Sequence, residues 1–176
     1  HPTTKLLIEK LVKSINKPLV LDADGLYPFF GRLNDLSKRK YPLIITPHFG
    51  ELSYLCDINK NDIISEFSNF MDSKIKKFRH VILVKQIPIC TFSNNSATVN
   101  ISGNPGMATA GTGDVLAGMI ASFIAQGFST FDSATMAAYI HGKASDKLLE
   151  TKGYRGQIAS DLLDYIPVII KRYESP

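Results

Sequence analysis

Gly103-Asn104-Pro105-Gly106-Met107-Ala108-Thr109-Ala110-Gly111-Thr112-Gly113-Asp114-Val115-Leu116-Ala117-Gly118 is a glycine-rich loop that runs directly into an apolar stretch. Gly111 and Gly113 allow positive φ and let the backbone approach a ligand with no Cβ in between. The apolar residues after Asp114 start a helix, so unpaired amides and the positive end of the helix dipole point into the loop. That combination is an anion site suited to a phosphate. Asp114 stands in the first turn, where a carboxylate can take the proton of a substrate hydroxyl as it attacks phosphorus. A Gly-x-Gly-Asp tetrapeptide alone would be read as an ordinary turn with an aspartate cap; the run as a whole favours the functional reading.

Outward from this run the chain alternates strand and helix. Leu19-Val20-Leu21, Leu43-Ile44-Ile45 and Val81-Ile82-Leu83-Val84 are short apolar runs of the kind found in buried parallel strands. A first helix, capped by Thr3 or Thr4, carries Leu7, Leu11 and Ile15 at helical spacing and stops before Pro18. A second helix is expected from Asn61 to Lys77, with Ile63, Ile64, Phe67, Phe70 and Met71 on one side. Ile89 to Phe92 and Ala97 to Ile101 flank Ser93-Asn94-Asn95-Ser96, a hairpin turn in which Asn tolerates positive φ. Three helices follow, near 114–126, 130–150 and 157–173. The middle one is rich in small residues (Ala134, Ala137, Ala138, Gly142, Ala144) that permit close packing. The expected architecture is a single α/β domain over 1–176, with a mainly parallel sheet, an antiparallel flap and a helical tail.

Composition excludes several classes. The 176 residues can bury one core, and no apolar run reaches the roughly 18 residues needed to span a bilayer. No signal-peptide pattern opens the chain, which starts at His1 rather than Met. The net charge of +4 is a mild basic bias, and its dense cluster (Lys74, Lys76, Lys77, Arg79) is read as a solvated helix end rather than a nucleic-acid surface. Cys56 and Cys90 have no metal-ligand spacing and are read as reduced, buried thiols, in keeping with the cytoplasm.

Two further segments follow apolar strands, where ligand sites of open α/β sheets collect. In Leu21-Asp22-Ala23-Asp24-Gly25-Leu26 one carboxylate could face a ligand while the other holds the loop. Asp24 leans towards the ligand, and Asp22 is evenly balanced. In Thr46-Pro47-His48-Phe49-Gly50-Glu51, Glu51 sits in the favourable first turn of a helix and His48 is placed to contact a ligand.

LDADGL at 21–26, TPHFGE at 46–51 and the run at 103–118, continued by Tyr139-Ile140-His141-Gly142, Ser145-Asp146 and Ala159-Ser160-Asp161-Leu162-Leu163, resemble the ribokinase-like family of NAD(P)H-hydrate dehydratases, in its bacterial ADP-dependent branch. The resemblance covers the chain from about Pro18 onward. It implies a ribokinase-like three-layer fold with a mainly parallel central sheet flanked by helices, of which this chain would be the C-terminal two-thirds without the N-terminal part. The implied substrate is the 6-hydroxy form of NADH or NADPH, phosphorylated by ADP or ATP with Mg²⁺ and restored by elimination of phosphate. Asp114 would activate the hydroxyl and touch the hydrated cofactor, with His48, Asp24 and Asn104 as further substrate contacts. Gly111, Thr112 and Gly113 would hold the transferring phosphate, and Lys85, Gln86, Ile87, Pro88 and Ile89 would line the nucleotide. No protein metal-ligand set is implied, and a homo-oligomer, with a tetramer as one form, is. This chain departs from the family pattern where Gln86 follows Lys85 in place of glycine and where Ala110 precedes Gly111. Two other readings stay open: a hydroxymethyl kinase of the same fold, and a truncated adenine-nucleotide-binding protein without activity.

Overall fold

The structure, a computed structural model, describes residues 1–174. The chain parts into two compact units, His1–Gln86 with Cys90–Thr98, and Ile87–Ile89 with the chain from Val99 onward.

The first unit opens with α1 (Pro2–Ser14), then β1 (Leu19–Leu21), α2 (Leu33–Ser37), β2 (Leu43–Ile45), α3 (Phe49–Cys56), α4 (Lys60–Ser65), α5 (Phe67–Phe70), β3 (Val81–Val84) and, from Cys90 on, β4 (Ile89–Phe92). All three apolar runs become strands. β1 pairs with β2 and β2 with β3 in parallel, in registers Leu19↔Leu43 and Ile44↔Val81. β4 returns antiparallel to β3 with Ile82 opposite Phe92. With β5 (Ala97–Asn100) the sheet order is β1-β2-β3-β4-β5. The turn expected between β4 and β5 is present, closed by the Ser93 amide donating to the Ser96 carbonyl at 2.8 Å, but Asn94 and Asn95 make it without positive φ. Leu43, Ile44 and Ile45 of β2 are completely buried. A strand covered on both faces cannot alternate polar and apolar residues, which is why these runs are continuous. Leu43 and Ile45 join Leu26, Phe29, Leu52, Leu55 and Ile82 in the core.

Three details differ from expectation. α1 opens at Pro2, with His1 rather than Thr3 or Thr4 as the cap, because proline suits the first helical position. Its buried face is carried by Val12, with Ile8 packed on the core, so Leu7 and Leu11 face outward. The helix expected over 61–77 is broken: α4 ends before Glu66 (φ −122°, ψ 37°), and α5 passes into a π turn at Met71–Ile75. Ser65 and Ser73 donate to the carbonyls of Asp62 and Phe70 at 3.3 Å near the breaks, and the Glu66 amide still reaches the Asp62 carbonyl at 3.2 Å. Ile64 is consequently half exposed.

Arg39, buried on the first unit, ties down the end of α1. Its guanidinium donates to the carbonyl of Val12, to Ile15 at 2.8 Å and to Lys17 at 2.6 Å. These carbonyls have no intrahelical donor, so a buried cation is their C-terminal cap.

The second unit holds α6 (Thr112–Ala125), α7 (Thr130–Lys152) and α8 (Ala159–Ile170). α7 packs against both neighbours, with Ala134, Ala137, Ala138 and Ala144 fully buried. Gly142 is required there, since a Cβ would stand 2.4 Å from Ser102 Oγ. α8 begins later than 157 because Gln157 turns inward, and a 3₁₀ turn at Lys171–Tyr173 follows it. No helix among the described residues is long and apolar enough to cross a membrane.

Replacing Arg39 by Met removes three charge-assisted bonds and leaves carbonyls without donors. Loss of roughly 1–3 kcal/mol is expected in urea unfolding, with faster amide exchange in the last turn of α1. Unchanged stability would contradict the capping role.

Candidate functional site

In the second unit, Gly111 adopts φ +89° at the N-cap of α6, the left-handed conformation that the glycine-rich run predicts. A Cβ there would come within 3.1 Å of Ala159 Cβ. Thr112 Oγ1 donates to the carbonyls of Met107 and Thr109, both at 2.9 Å, folding the loop back under the helix. The amides of Gly113 and Asp114 have no acceptor within the helix, and Asp114 is exposed.

The loop is held from below by a polar network. Asn104, buried, donates to Ser145 Oγ at 2.8 Å and Asp146 Oδ1 at 3.3 Å, and accepts from the Gly106 amide at 3.0 Å. Ser145 donates to Gln157 Oε1 at 2.8 Å, and the Gly103 amide donates to Asp146 Oδ2 at 3.1 Å. Gly103 has φ +105°. The side chain of Asn104 is thus engaged inside the unit, and Ser145, Asp146 and Gln157 are its supports. Their clue in the sequence was a Ser-Asp pair on a small-residue helix, with nothing to say which loop it met.

His141 was likewise not singled out for a role. It is 3% exposed, lies against the backbone of Thr112, and neither ring nitrogen has a hydrogen-bond partner among the described residues. Burial pushes its pKa down to about 4, with the Thr112 backbone acting weakly the other way. A neutral imidazole therefore sits beneath the first turn of the anion loop.

In the first unit, the residues after β1, β2 and β3 converge. Lys85 Nζ lies 2.5 Å from Asp22 Oδ1 and 3.9 Å from Glu51 Oε2. His48 caps α3: its Nδ1 accepts from the Glu51 amide at 3.1 Å, while Glu51 Oε2 accepts from the His48 amide at 2.8 Å. This is a reciprocal capping box with histidine in the serine position. The sequence signalled Glu51 as a dipole partner and did not signal the box, because histidine is an unusual cap. Asp22 is thereby engaged with Lys85, while Asp24 is exposed in a 3₁₀ turn at Ala23–Gly25. Gln86 donates to Cys90 Sγ at 3.4 Å. In the second unit, Ile87 and Pro88 are exposed and Ile89 is half-buried.

Cys56 and Cys90 are not joined in a disulfide. Burial pushes the Cys56 thiol up to about 12, which makes it a poor nucleophile. No group of three or more potential metal-ligating side chains occurs among the described residues.

The sequence profile of the NAD(P)H-hydrate dehydratases matches residues 1–168. A bifunctional NAD(P)H-hydrate repair enzyme of Moorella thermoacetica is 33% identical over 174 residues, covering 98% of this chain and 33% of the relative. An ADP-dependent (S)-NAD(P)H-hydrate dehydratase of Xanthomonas campestris is 32% identical over 171 residues, covering 97% of this chain and 57% of the relative. Among solved structures, a ribokinase-like superfamily protein of Enterococcus faecalis superposes with a TM-score of 0.84 at 27% identity, over 100% of this chain and 61% of that one. The fold is ribokinase-like, and the chain spans between a third and three-fifths of the length of these proteins.

His141 sets a pH dependence of stability. Between its ordinary value of 6.5 and about 4 the unfolded chain binds a proton that the folded chain refuses. Stability is therefore complete above this window and falls with pH inside it, by up to roughly 3 kcal/mol. His80, whose pKa burial also lowers, adds to the same trend. In urea titrations at stepped pH, His141→Phe is expected to be less sensitive across this window than the parent chain; an identical slope would show that His141 is protonated in the fold.

Proposed function

The chain belongs to the NAD(P)H-hydrate dehydratase family, and from that premise we propose that it returns hydrated NADH or NADPH to the reduced cofactor at the expense of ADP or ATP. The observation that carries this reading is the start of α6. Gly111 at φ +89° leads into a helix of 14 residues whose first amides point outward, with Asp114 exposed beside them. Phosphate suits those amides, and an exposed carboxylate next to them suits a hydroxyl that attacks phosphorus.

In this mechanism the ring hydroxyl oxygen attacks the terminal phosphorus of the nucleotide, and Asp114 accepts its proton. The P–O bond to the nucleotide breaks, leaving AMP from ADP or ADP from ATP. The phosphate now on the ring is a far better leaving group than hydroxide. Its C–O bond breaks with the electron pair, the neighbouring ring carbon gives up a proton, and the double bond is restored. Gly111, Thr112 and Gly113 hold the moving phosphate by backbone amides. His48 and Asp24 contact the hydrated ring or its ribose, and Asn104 keeps the loop on the substrate in shape. The residues after Lys85, Gln86 to Ile89, line the adenine nucleotide, with Ile87 and Pro88 offering exposed apolar surface to a base.

Magnesium neutralises phosphate charge during such transfers and is held mostly by phosphate oxygens and water. It needs no preformed cage of three side chains, and an exposed carboxylate such as Asp24 would complete its shell. Cysteines outside any disulfide suit a reducing compartment such as the cytoplasm. A homo-oligomer belongs to the same reading and is checked by light scattering.

Asp114→Asn keeps the helix and removes the base. Turnover of hydrated NADH with ADP and Mg²⁺ is expected to fall by roughly 10²–10⁴, with the melting temperature little changed. A variant retaining near-parental rate would remove Asp114 from the mechanism.

A further inference from the structure

The residues at the carboxyl ends of β1, β2 and β3 form a single bonded chain that the assignment of His48 and Lys85 to separate ligands leaves unexplained. The strands bring them together: His48 pairs with Lys85 in parallel register, and the Lys85 amide donates to the Pro47 carbonyl at 2.8 Å. The side chains of Asp22 and Glu51 are 14% exposed and that of Lys85 is 22% exposed, whereas His48 is 56% exposed. The His48 ring is thus the protruding end of an otherwise sheltered network.

Its chemistry is directional. His48 Nδ1 accepts from the Glu51 amide, so in the neutral ring the proton is on Nε2. Nε2 lies 3.5 Å from Glu51 Oε1, a distance that leaves room for a better acceptor. Glu51 itself is held twice, by the His48 amide and by its proximity to the Lys85 ammonium, which also meets Asp22. Without that cation, two sheltered carboxylates would face each other uncompensated, which is costly.

We propose that Asp22, Glu51 and Lys85 are positioning residues for His48: the Lys85 ammonium clamps the two carboxylates, the Glu51 side chain under that clamp caps the His48 amide and so keeps the Glu51 amide aimed at Nδ1, which fixes the imidazole in its Nε2–H tautomer, and His48 thereby presents one aimed donor to an oxygen of the hydrated cofactor. The ammonium is then an internal counter-ion, and the nucleotide is served by the residues after it. The substrate half of this inference rests on the dehydratase reading; the tautomer half does not.

The test uses the full chain. Nitrogen NMR of the histidine rings, recorded above the imidazole titration range and assigned through His48→Asn, reports the tautomer in the free protein. The parent chain is expected to show His48 protonated on Nε2 alone. Lys85→Met is expected to mix the two tautomers, and adding Asp22→Asn is expected to restore the single one by removing the unpaired carboxylate. In turnover assays Lys85→Met should raise KM for hydrated NADH by roughly tenfold, the size of one lost hydrogen bond. It should move KM for ADP little, and the double variant should recover most of the loss. Should Lys85→Met fail to fold, folding of the double variant supports the clamp, and Glu51→Ala supplies the tautomer comparison. A single tautomer in both Lys85→Met and Glu51→Ala overturns the proposal. So does a Lys85→Met defect confined to KM for ADP that Asp22→Asn does not relieve. Absence of turnover in the parent chain would sink the dehydratase reading while the spectra still decide the clamp.

Discussion

Asp22 and Lys85 leave β1 and β3 at the same edge of the sheet with β2 between them, and their ion pair at 2.5 Å spans that interval. The pair exists because all three strands run the same way. A parallel sheet places the carboxyl ends of its strands on one side, where loops rather than hydrogen-bonded ladders determine what is exposed. Burial of β2 on both faces fixes its register, since a one-residue slip would exchange two packed faces. That register sets His48 beside Lys85 and lets Glu51 reach both. The chemistry of the first unit thus follows from the burial of β2 and β3 and from the parallel pairing of the half-buried β1 with β2.

The second unit solves a different problem, that of holding a glycine-rich loop in one conformation. Glycine lets the chain take φ +89° at Gly111 and +105° at Gly103, yet the same freedom must be removed on folding. Asn104 removes it. One amide side chain joins Ser145, Asp146 and the Gly106 backbone, and through Ser145 reaches Gln157. Thr112 ties the other end of the loop to Met107 and Thr109. A loop held at both ends presents its amides without reorganising when charge develops, the condition under which such dipoles are most effective.

Much of this was legible in the sequence where one signal dominated. Three apolar runs gave three strands, of which β2 and β3 are buried throughout and β1 is half-buried. The left-handed Gly111 followed from backbone chemistry that few residues share, whereas the turn at Ser93–Ser96 forms without the positive φ that its asparagines offer. Where two weak signals competed, the reading failed. Over 61–77 the apolar spacing favoured one helix, while the backbone leaves the helix at Glu66 and passes into a π turn at Met71–Ile75. On α1 the spacing of Leu7 and Leu11 suggested a buried stripe, yet Val12 and Ile8 carry the packing. Polar networks were the least legible. Neither the capping box of His48 nor the depth of His141 can be read from spacing, because both depend on which element a side chain meets.

Recovery of NADH absorbance from hydrated NADH by the full chain, with Mg²⁺ and either ADP or ATP, tests the central claim most directly. The account predicts recovery that requires nucleotide and releases one phosphate per cofactor restored. Nucleotide binding to the folded chain without any recovery, under conditions where an active relative restores the cofactor, would contradict it.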